Sequence, residues 1–217
     1  MSVRLEILHI YKSYNGDPVL RDCSFIFDKG GTYVVMGPNG CGKSTLFRIC
    51  ALLEEPDRGE VNYWSGGTSL QKDVELRRKI TLVLPKIGVF NTTVFKNVAY
   101  GLKIRGIRKR TINEKVHRAL EFVGLVHKKE QDALTLSSGE TQRLGIARAI
   151  AIEPEVLLLD EPTAFVDEKN KAIIEDIILR LKRSGHSMVI IATHDRAQAE
   201  RIGDELLVMK EGRIISP

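Results

Sequence analysis

The apolar positions change period twice along the chain. Over residues 4–10, 23–27 and 32–36, β-branched and aromatic residues are separated by the turn-forming stretches Asn15-Gly16-Asp17-Pro18 and Asp28-Lys29-Gly30-Gly31, which predicts a β-rich first third. A helix-like run over 43–53 follows, then a short strand over 80–84. Residues 94–103, 111–123 and 139–152 carry helical spacing with little strand character between them, so a helical insert is expected over about 85–150. From residue 156 the strands return: 156–160, 187–193 and 205–209 are short apolar runs alternating with helices at about 168–183 and 196–202. Continuous apolar strands between helices belong to a mostly parallel sheet buried on both faces. The pattern predicts one α/β domain over 1–217, its core built from 1–84 and 151–217 and split by the helical subdomain.

Composition narrows the class. A chain of 217 residues with 43% hydrophobic and 28% charged residues fits a soluble globular protein with a full core. Runs such as Val156-Leu157-Leu158-Leu159 fall far short of the roughly 18–20 apolar residues of a membrane-spanning helix. The opening Met1-Ser2-Val3-Arg4-Leu5-Glu6 lacks the succession of a secretory signal, and the odd set Cys23, Cys41 and Cys50 suggests no disulfide framework. A cytosolic protein with reduced thiols is expected. The net charge of +5 permits nucleic acid or acidic lipid as a partner without indicating either.

Candidate chemistry sharpens the picture. Gly37-Pro38-Asn39-Gly40-Cys41-Gly42-Lys43-Ser44-Thr45 fits G-x-x-x-x-G-K-[ST], directly after an apolar strand and directly before a helix. Such a loop wraps backbone N–H groups round a β-phosphate at a positive helix N-terminus. Lys43 reaches the β/γ oxygens and the Ser44 hydroxyl can ligate Mg2+. The strand 156–160 ends in Asp160-Glu161. Asp160 is expected to hold Mg2+ through water, and Glu161, pointing to the opposite side of the strand end, to polarise an attacking water as general base. Read alone, two acids at a strand end also fit a helix cap or surface turn. Leu136-Ser137-Ser138-Gly139-Glu140 precedes a helix and fits either a second anion seat or an ordinary cap.

Taken in this order, the phosphate loop, the Leu-Ser-Ser-Gly-Glu stretch and the Asp-Glu strand end resemble the ATP-binding subunits of ABC transporters, over about residues 5–215. The resemblance implies a P-loop NTPase core with a mostly parallel sheet, an antiparallel β subdomain at the N-terminus and an inserted α-helical subdomain. It implies ATP hydrolysis with Mg2+ by a head-to-tail pair of copies. Ser137, Ser138, Gly139 and Glu140 of one copy close over ATP on the phosphate loop of the other. Tyr14 matches an aromatic that stacks on adenine, although a strand-end aromatic also fits core packing. His194 matches a histidine that contacts the γ-phosphate, and Asp167 the acid of a loop running between the copies. Further implied partners are transmembrane permease subunits and, through them, a substrate-binding protein, at the cytoplasmic face of the cell membrane; no nucleic acid is expected.

Three positions depart from the family pattern. Ser138 replaces a glycine, and its Cβ restricts close backbone approach. Ala164-Phe165-Val166 stands where Ser-Ala-Leu is common, which is expected to slow turnover. Val83-Leu84-Pro85-Lys86 occupies the place of a Mg2+-ligating glutamine, and no glutamine lies between Gln71 and Gln131. Weaker metal affinity and a stiffer connection between the lobes are expected. The basic cluster Lys103, Arg105, Arg108, Lys109 and Arg110 fits a solvated face or an approach to head groups or permease loops.

Residues 90–106 and Ala51-Leu52-Leu53-Glu54-Glu55-Pro56 look most like importers of small oxyanions, tungstate and molybdate in particular, with phosphate and polar amino-acid importers close behind. With the sequence ending at Pro217, an appended ligand-sensing domain is not expected. Two alternatives remain at this point: a soluble ABC-type ATPase of assembly or repair, and a slow-hydrolysing ATP-dependent clamp.

Overall fold

The computed structural model describes residues 3–28 and 30–215. Lys29 of the expected turn over 28–31, the first two residues and the last two lie outside them.

Strands β1 (Val3–Tyr14) and β2 (Asp17–Phe27) form a hairpin closed by Asn15-Gly16, both with positive φ (52° and 89°), which suits the right-handed twist of a two-residue turn. Both strands run beyond the expected 4–10 and 23–27. Register shifts lie along β1 after Ile7, and His9 and Asp22 adopt left-handed φ of 51° and 62°. These bulges break the alternation that marks a strand in sequence. β4 (Arg58–Ser65), which the apolar pattern does not announce, pairs antiparallel with β1, and the two-residue β5 (Thr68–Ser69) pairs with β4.

The second sheet contains β3 (Thr32–Met36), β6 (Ile80–Val83), β7 (Val156–Asp160), β8 (Met188–Thr193), β9 (Glu205–Lys210) and β10 (Arg213–Ile215), in the order β10-β9-β3-β8-β7-β6. Every pairing in it is parallel except β10 with β9. Side chains alternate faces along these strands. Val156, Leu158, Ile190 and Val35 join a core shared with the antiparallel sheet and helix α1 (Lys43–Cys50). Leu157, Leu159, Ile191 and Val34 join a second core under the helices. The five-residue β7 is buried throughout, which is why it reads as a continuous apolar run.

Helix α1 stops at Cys50, short of residue 53. Ala51 and Leu52 remain buried, but Leu52 has φ 56°, so the apolar period continues through a turn. Helix α2 (Val74–Lys79) buries only Leu76, too little for a periodic signal. Helices α3 (Val94–Ile104), α4 (Lys109–Phe122) and α5 (Ser138–Ala151) lie close to the expected spans, as do α6 (Glu168–Ser184) and α7 (Arg196–Ile202). No helix among the described residues is long and apolar enough to cross a membrane.

Candidate functional site

The strand order brings three chain segments to one place, since β8 lies between β3 and β7. Their carboxyl ends therefore deliver Gly37, His194 and Glu161 side by side, where open parallel sheets bind ligands. Two backbone bonds lock the ends together: Gly37 N–H donates to the Thr193 carbonyl (3.1 Å) and Glu161 N–H to the Ala192 carbonyl (3.0 Å).

The loop from Gly37 to Gly42 has a buried base and an open crest. Gly37, Cys41, Gly42 and Lys43 are buried, whereas Pro38, Asn39 and Gly40 are exposed. A Cβ on Gly37 would lie 2.3 Å from the Met209 carbonyl oxygen and 2.8 Å from Cys41 Sγ, so only glycine fits. Gly42 caps α1 with φ 108° and no side-chain bond, leaving the first N–H groups of the helix free for an anion. Thr45 is buried in the first turn. Lys43 is 5% exposed; its Nζ donates to the Gly37 (2.6 Å) and Pro38 (3.1 Å) carbonyls and lies 3.2 Å from Glu161 Oε1.

Asp160 is buried, at 1% exposure. Desolvation pushes its carboxyl pKa up, against a hydrogen bond from the Ser44 hydroxyl and the nearby Lys43 charge. Its Oδ1 has no hydrogen-bond partner. A buried carboxylate oxygen left unpartnered beside a hydroxyl fits a hard cation with phosphate oxygens and water as its other ligands. No group of three His, Cys, Asp or Glu among the described residues could hold a metal alone.

Glu161 departs from strand alternation. Its φ of 47° turns the chain at the end of β7, so the carboxylate returns over Lys43 instead of pointing away. Both acids therefore border the same lysine, which corrects the expectation of opposite sides. Glu161 Oε2 lies 2.9 Å from His194 Nδ1, completing the row Lys43, Glu161, His194. The exposed His194 is presented by the cap of α7, where Asp195 accepts from Gln198 N–H and its own N–H donates to Thr193 Oγ1.

Ser137 caps α5 in a reciprocal box: its hydroxyl accepts from Glu140 N–H and Glu140 Oε2 accepts from Ser137 N–H. Glu140 is also paired with Lys128 at 2.6 Å. Partial burial opposes ionisation, but Lys128 and the Ser137 amide hold that carboxyl below its usual range. The groups presented outward are the exposed Ser137 and Ser138; Gly139 is buried against Asn170 of α6, where a Cβ on Gly139 would lie 2.1 Å from Asn170 Cγ. Tyr14 is half-exposed at the hairpin tip; its hydroxyl donates to Glu54, and Lys12 Nζ lies 5.6 Å from its ring centroid. The same hairpin reaches the phosphate loop through Val19 and Leu20, which abut Gly42.

Two of the departing positions meet: Lys86 Nζ lies 5.5 Å from the ring centroid of Phe165, which is 72% exposed with φ 64°. Asp167 caps α6 through Asn170. In the basic cluster Lys103, Arg108, Lys109 and Arg110 are exposed, while Arg105 bonds the carbonyls of Arg78 and Ile152 and is a packing residue. The sequence reading missed Gln198, whose buried amide joins three segments of the site. Only its position four residues after His194 could have drawn attention to it.

A family model described as ABC transporter matches residues 20–164. The chain is 39% identical over 227 residues to the phosphate import ATP-binding protein PstB 2 of Natronomonas pharaonis, covering 97% of this chain and 78% of that protein. It is 37% identical over 212 residues to the tungstate uptake system ATP-binding protein TupC of Peptoclostridium acidaminophilum, covering 98% and 97%. It is 35% identical to the spermidine/putrescine import ATP-binding protein PotA of Bacteroides thetaiotaomicron, covering 97% of this chain and 45% of that protein. Among solved structures, cbiO1 from Clostridium perfringens, described as part of the ABC transporter complex cbiONQ, superposes with a TM-score of 0.86 at 29% identity, covering 97% and 86%. With a phosphate loop, two strand-end acids and a histidine converging at the carboxyl ends of neighbouring strands, and relatives matched along almost its whole length, the chain belongs to the ABC transporter family as an ATP-binding subunit that hydrolyses ATP.

Proposed function

We propose that this ATPase energises the import of a small oxyanion, working as a pair of copies docked on transmembrane permease subunits at the cytoplasmic face of the membrane. The row Lys43, Glu161, His194 above the free N-terminus of α1 carries the hydrolytic part of this reading. Backbone N–H groups over 37–45 cradle the β-phosphate and Lys43 reaches the β/γ oxygens. Tyr14 stacks on the adenine. Glu161 accepts the proton of the attacking water, and His194 holds Glu161 on one side while facing the γ-phosphate on the other. Ser44 and Asp160 are the residues that would hold Mg2+, which when bound would supply charge neutralisation at the phosphates. Ser137, Ser138 and Gly139 of the second copy close the site, with Glu140 shaping their cap.

The test is steady-state phosphate release. Glu161→Gln is expected to lower kcat by about 100-fold or more, since it removes the proton acceptor while leaving ATP affinity in place. Lys43→Ala is expected to abolish ATP binding itself. Native turnover retained by Glu161→Gln would sink the assignment.

For docking, a groove of about 290 Å³ lies between the exit of β6 and helices α3 and α5, lined by Thr81, Lys86, Ile87, Tyr100, Arg148 and Ile152. A cleft between the core and the helical subdomain suits a short permease helix. Relatives named for phosphate and tungstate import support an oxyanion cargo. The relative named for spermidine and putrescine import supports a polyamine as the second reading. Uptake of tungstate, molybdate, phosphate and spermidine by the whole complex separates the two.

A further inference from the structure

Gln198 lies in the first turn of α7 with none of its surface exposed. Its Oε1 accepts from Thr193 Oγ1 at 2.8 Å, and its Nε2 donates to Thr163 Oγ1 at 2.9 Å and to Glu175 Oε1 at 3.0 Å. Both amide hydrogens and the amide oxygen are thus engaged, and because an ionised Glu175 can only accept, the nitrogen must face it. The three partners lie on three segments. Thr193 ends β8, one residue before His194; Thr163 follows Glu161 by two; Glu175 lies in the middle of α6 and is itself held by Arg201 at 2.9 and 3.2 Å. The loops that carry Glu161 and His194 are therefore both tied to α6 through one side chain. The left-handed Glu161 sits in a tight turn, closed by Ala164 N–H to the Glu161 carbonyl at 2.9 Å, whose interior includes Thr163.

We infer that Gln198 is a positioning residue that sets the gap between Glu161 and His194 by tethering both their loops to α6. The inference rests on the hydrolytic reading of that pair. Gln198 has no bond to the phosphate loop, so its loss acts on the alignment of the two side chains and not on ATP affinity. Misplacement by about 1 Å at a reacting centre costs up to about 100-fold in rate. Gln198→Met, equal in length but without hydrogen bonds, is expected to lower kcat by about 10-fold or more with KM for ATP within about threefold. Thr163→Val, which deletes one of the tethered hydroxyls at constant shape, is expected to lower kcat similarly, and Thr163→Ser, which keeps it, to stay within about twofold of the native rate. The Gln198→Met/Thr163→Val pair is expected to be no slower than the worse single variant, because both remove one link.

Native kcat in Gln198→Met overturns the inference, as do equal rates for Thr163→Val and Thr163→Ser, a contrast that holds even where the Met variant does not fold. A parallel fall of kcat and of ATP binding that adds up in the double variant overturns it too, since that is general loosening. Glu161→Gln is run beside them. Native hydrolysis indifferent to that change overturns the hydrolytic reading and the inference with it, whereas sensitivity to it leaves the Gln198 and Thr163 rates to decide alone.

Discussion

At the scale of single residues, Asp160 is where function opposes stability. Its carboxylate is buried, one oxygen has no partner, and desolvation raises its pKa. A carboxyl whose folded pKa lies above the unfolded value favours the folded state at low pH and loses that contribution as pH rises through the folded value. Burial therefore works against the ionised form of Asp160, and the Ser44 hydroxyl and the Lys43 and Arg48 charges offset it only in part. Asp160→Asn keeps an acceptor for the Ser44 hydroxyl and removes the charge. We expect its melting temperature without nucleotide or Mg2+ to rise by about 2–4 °C, the equivalent of about 1 kcal/mol at this chain length, while ATPase activity is lost. A lower melting temperature would mean that Lys43 and Arg48 already compensate the charge.

At the scale of elements, α7 depends on its cap. Asp195 accepts from Gln198 N–H and pairs with Lys171 of α6 at 2.5 Å; that lysine, then the backbone N–H, hold its carboxyl below the usual range, and Lys171 is raised in return. The depressed carboxyl gives stability that is complete above about pH 4 and lost as pH falls through the folded value; the raised lysine loses its share only in alkali, as pH rises through its own folded value. Asp195→Asn keeps a good capping residue but removes the pair. Its melting temperature is expected to fall less steeply than the native one below pH 4, and parallel curves would show the pair to be inert. The same scale explains what the sequence could convey. The strands β7 and β8 are legible because burial on both faces leaves an unbroken apolar run, and the phosphate loop because its parts are contiguous. β4 is not: only Val61 and Tyr63 of its eight residues are buried, so its identity depends on pairing with β1. Gln198 was illegible for a related reason. An amide is an ordinary helix residue until Thr163, Glu175 and Thr193 are brought round it by three separate elements.

At the scale of the whole molecule, the two candidate anion seats lie on separate elements, the loop before α1 and the first turn of α5. The phosphate loop has its exposed crest at Pro38, Asn39 and Gly40, while the second seat, at Ser137 and Ser138, sends its hydrogen bonds into its own cap and its cap acid to Lys128. In the proposed two-fold pair each copy would offer its second seat to the other's phosphate loop, an isologous contact that repeats the same complementarity twice. Glu161→Gln is expected to hold ATP without cleaving it, and so to sediment as a dimer with Mg-ATP and as a monomer without it. Ser138→Glu tests the geometry. Ser138 is exposed in the first turn of a 14-residue helix, where a negative charge favours the helix, so folding is unharmed. The same charge would face the γ-phosphate across the pair, a like-charge contact that costs several kcal/mol. In the Glu161→Gln background the added Ser138→Glu is expected to abolish ATP-driven dimerisation while ATP still binds to the monomer's own phosphate loop, as read by ultracentrifugation and nucleotide fluorescence. Undiminished dimerisation would place the second seat elsewhere, and loss of ATP binding by the monomer would mean that residues 137–140 serve their own chain's nucleotide.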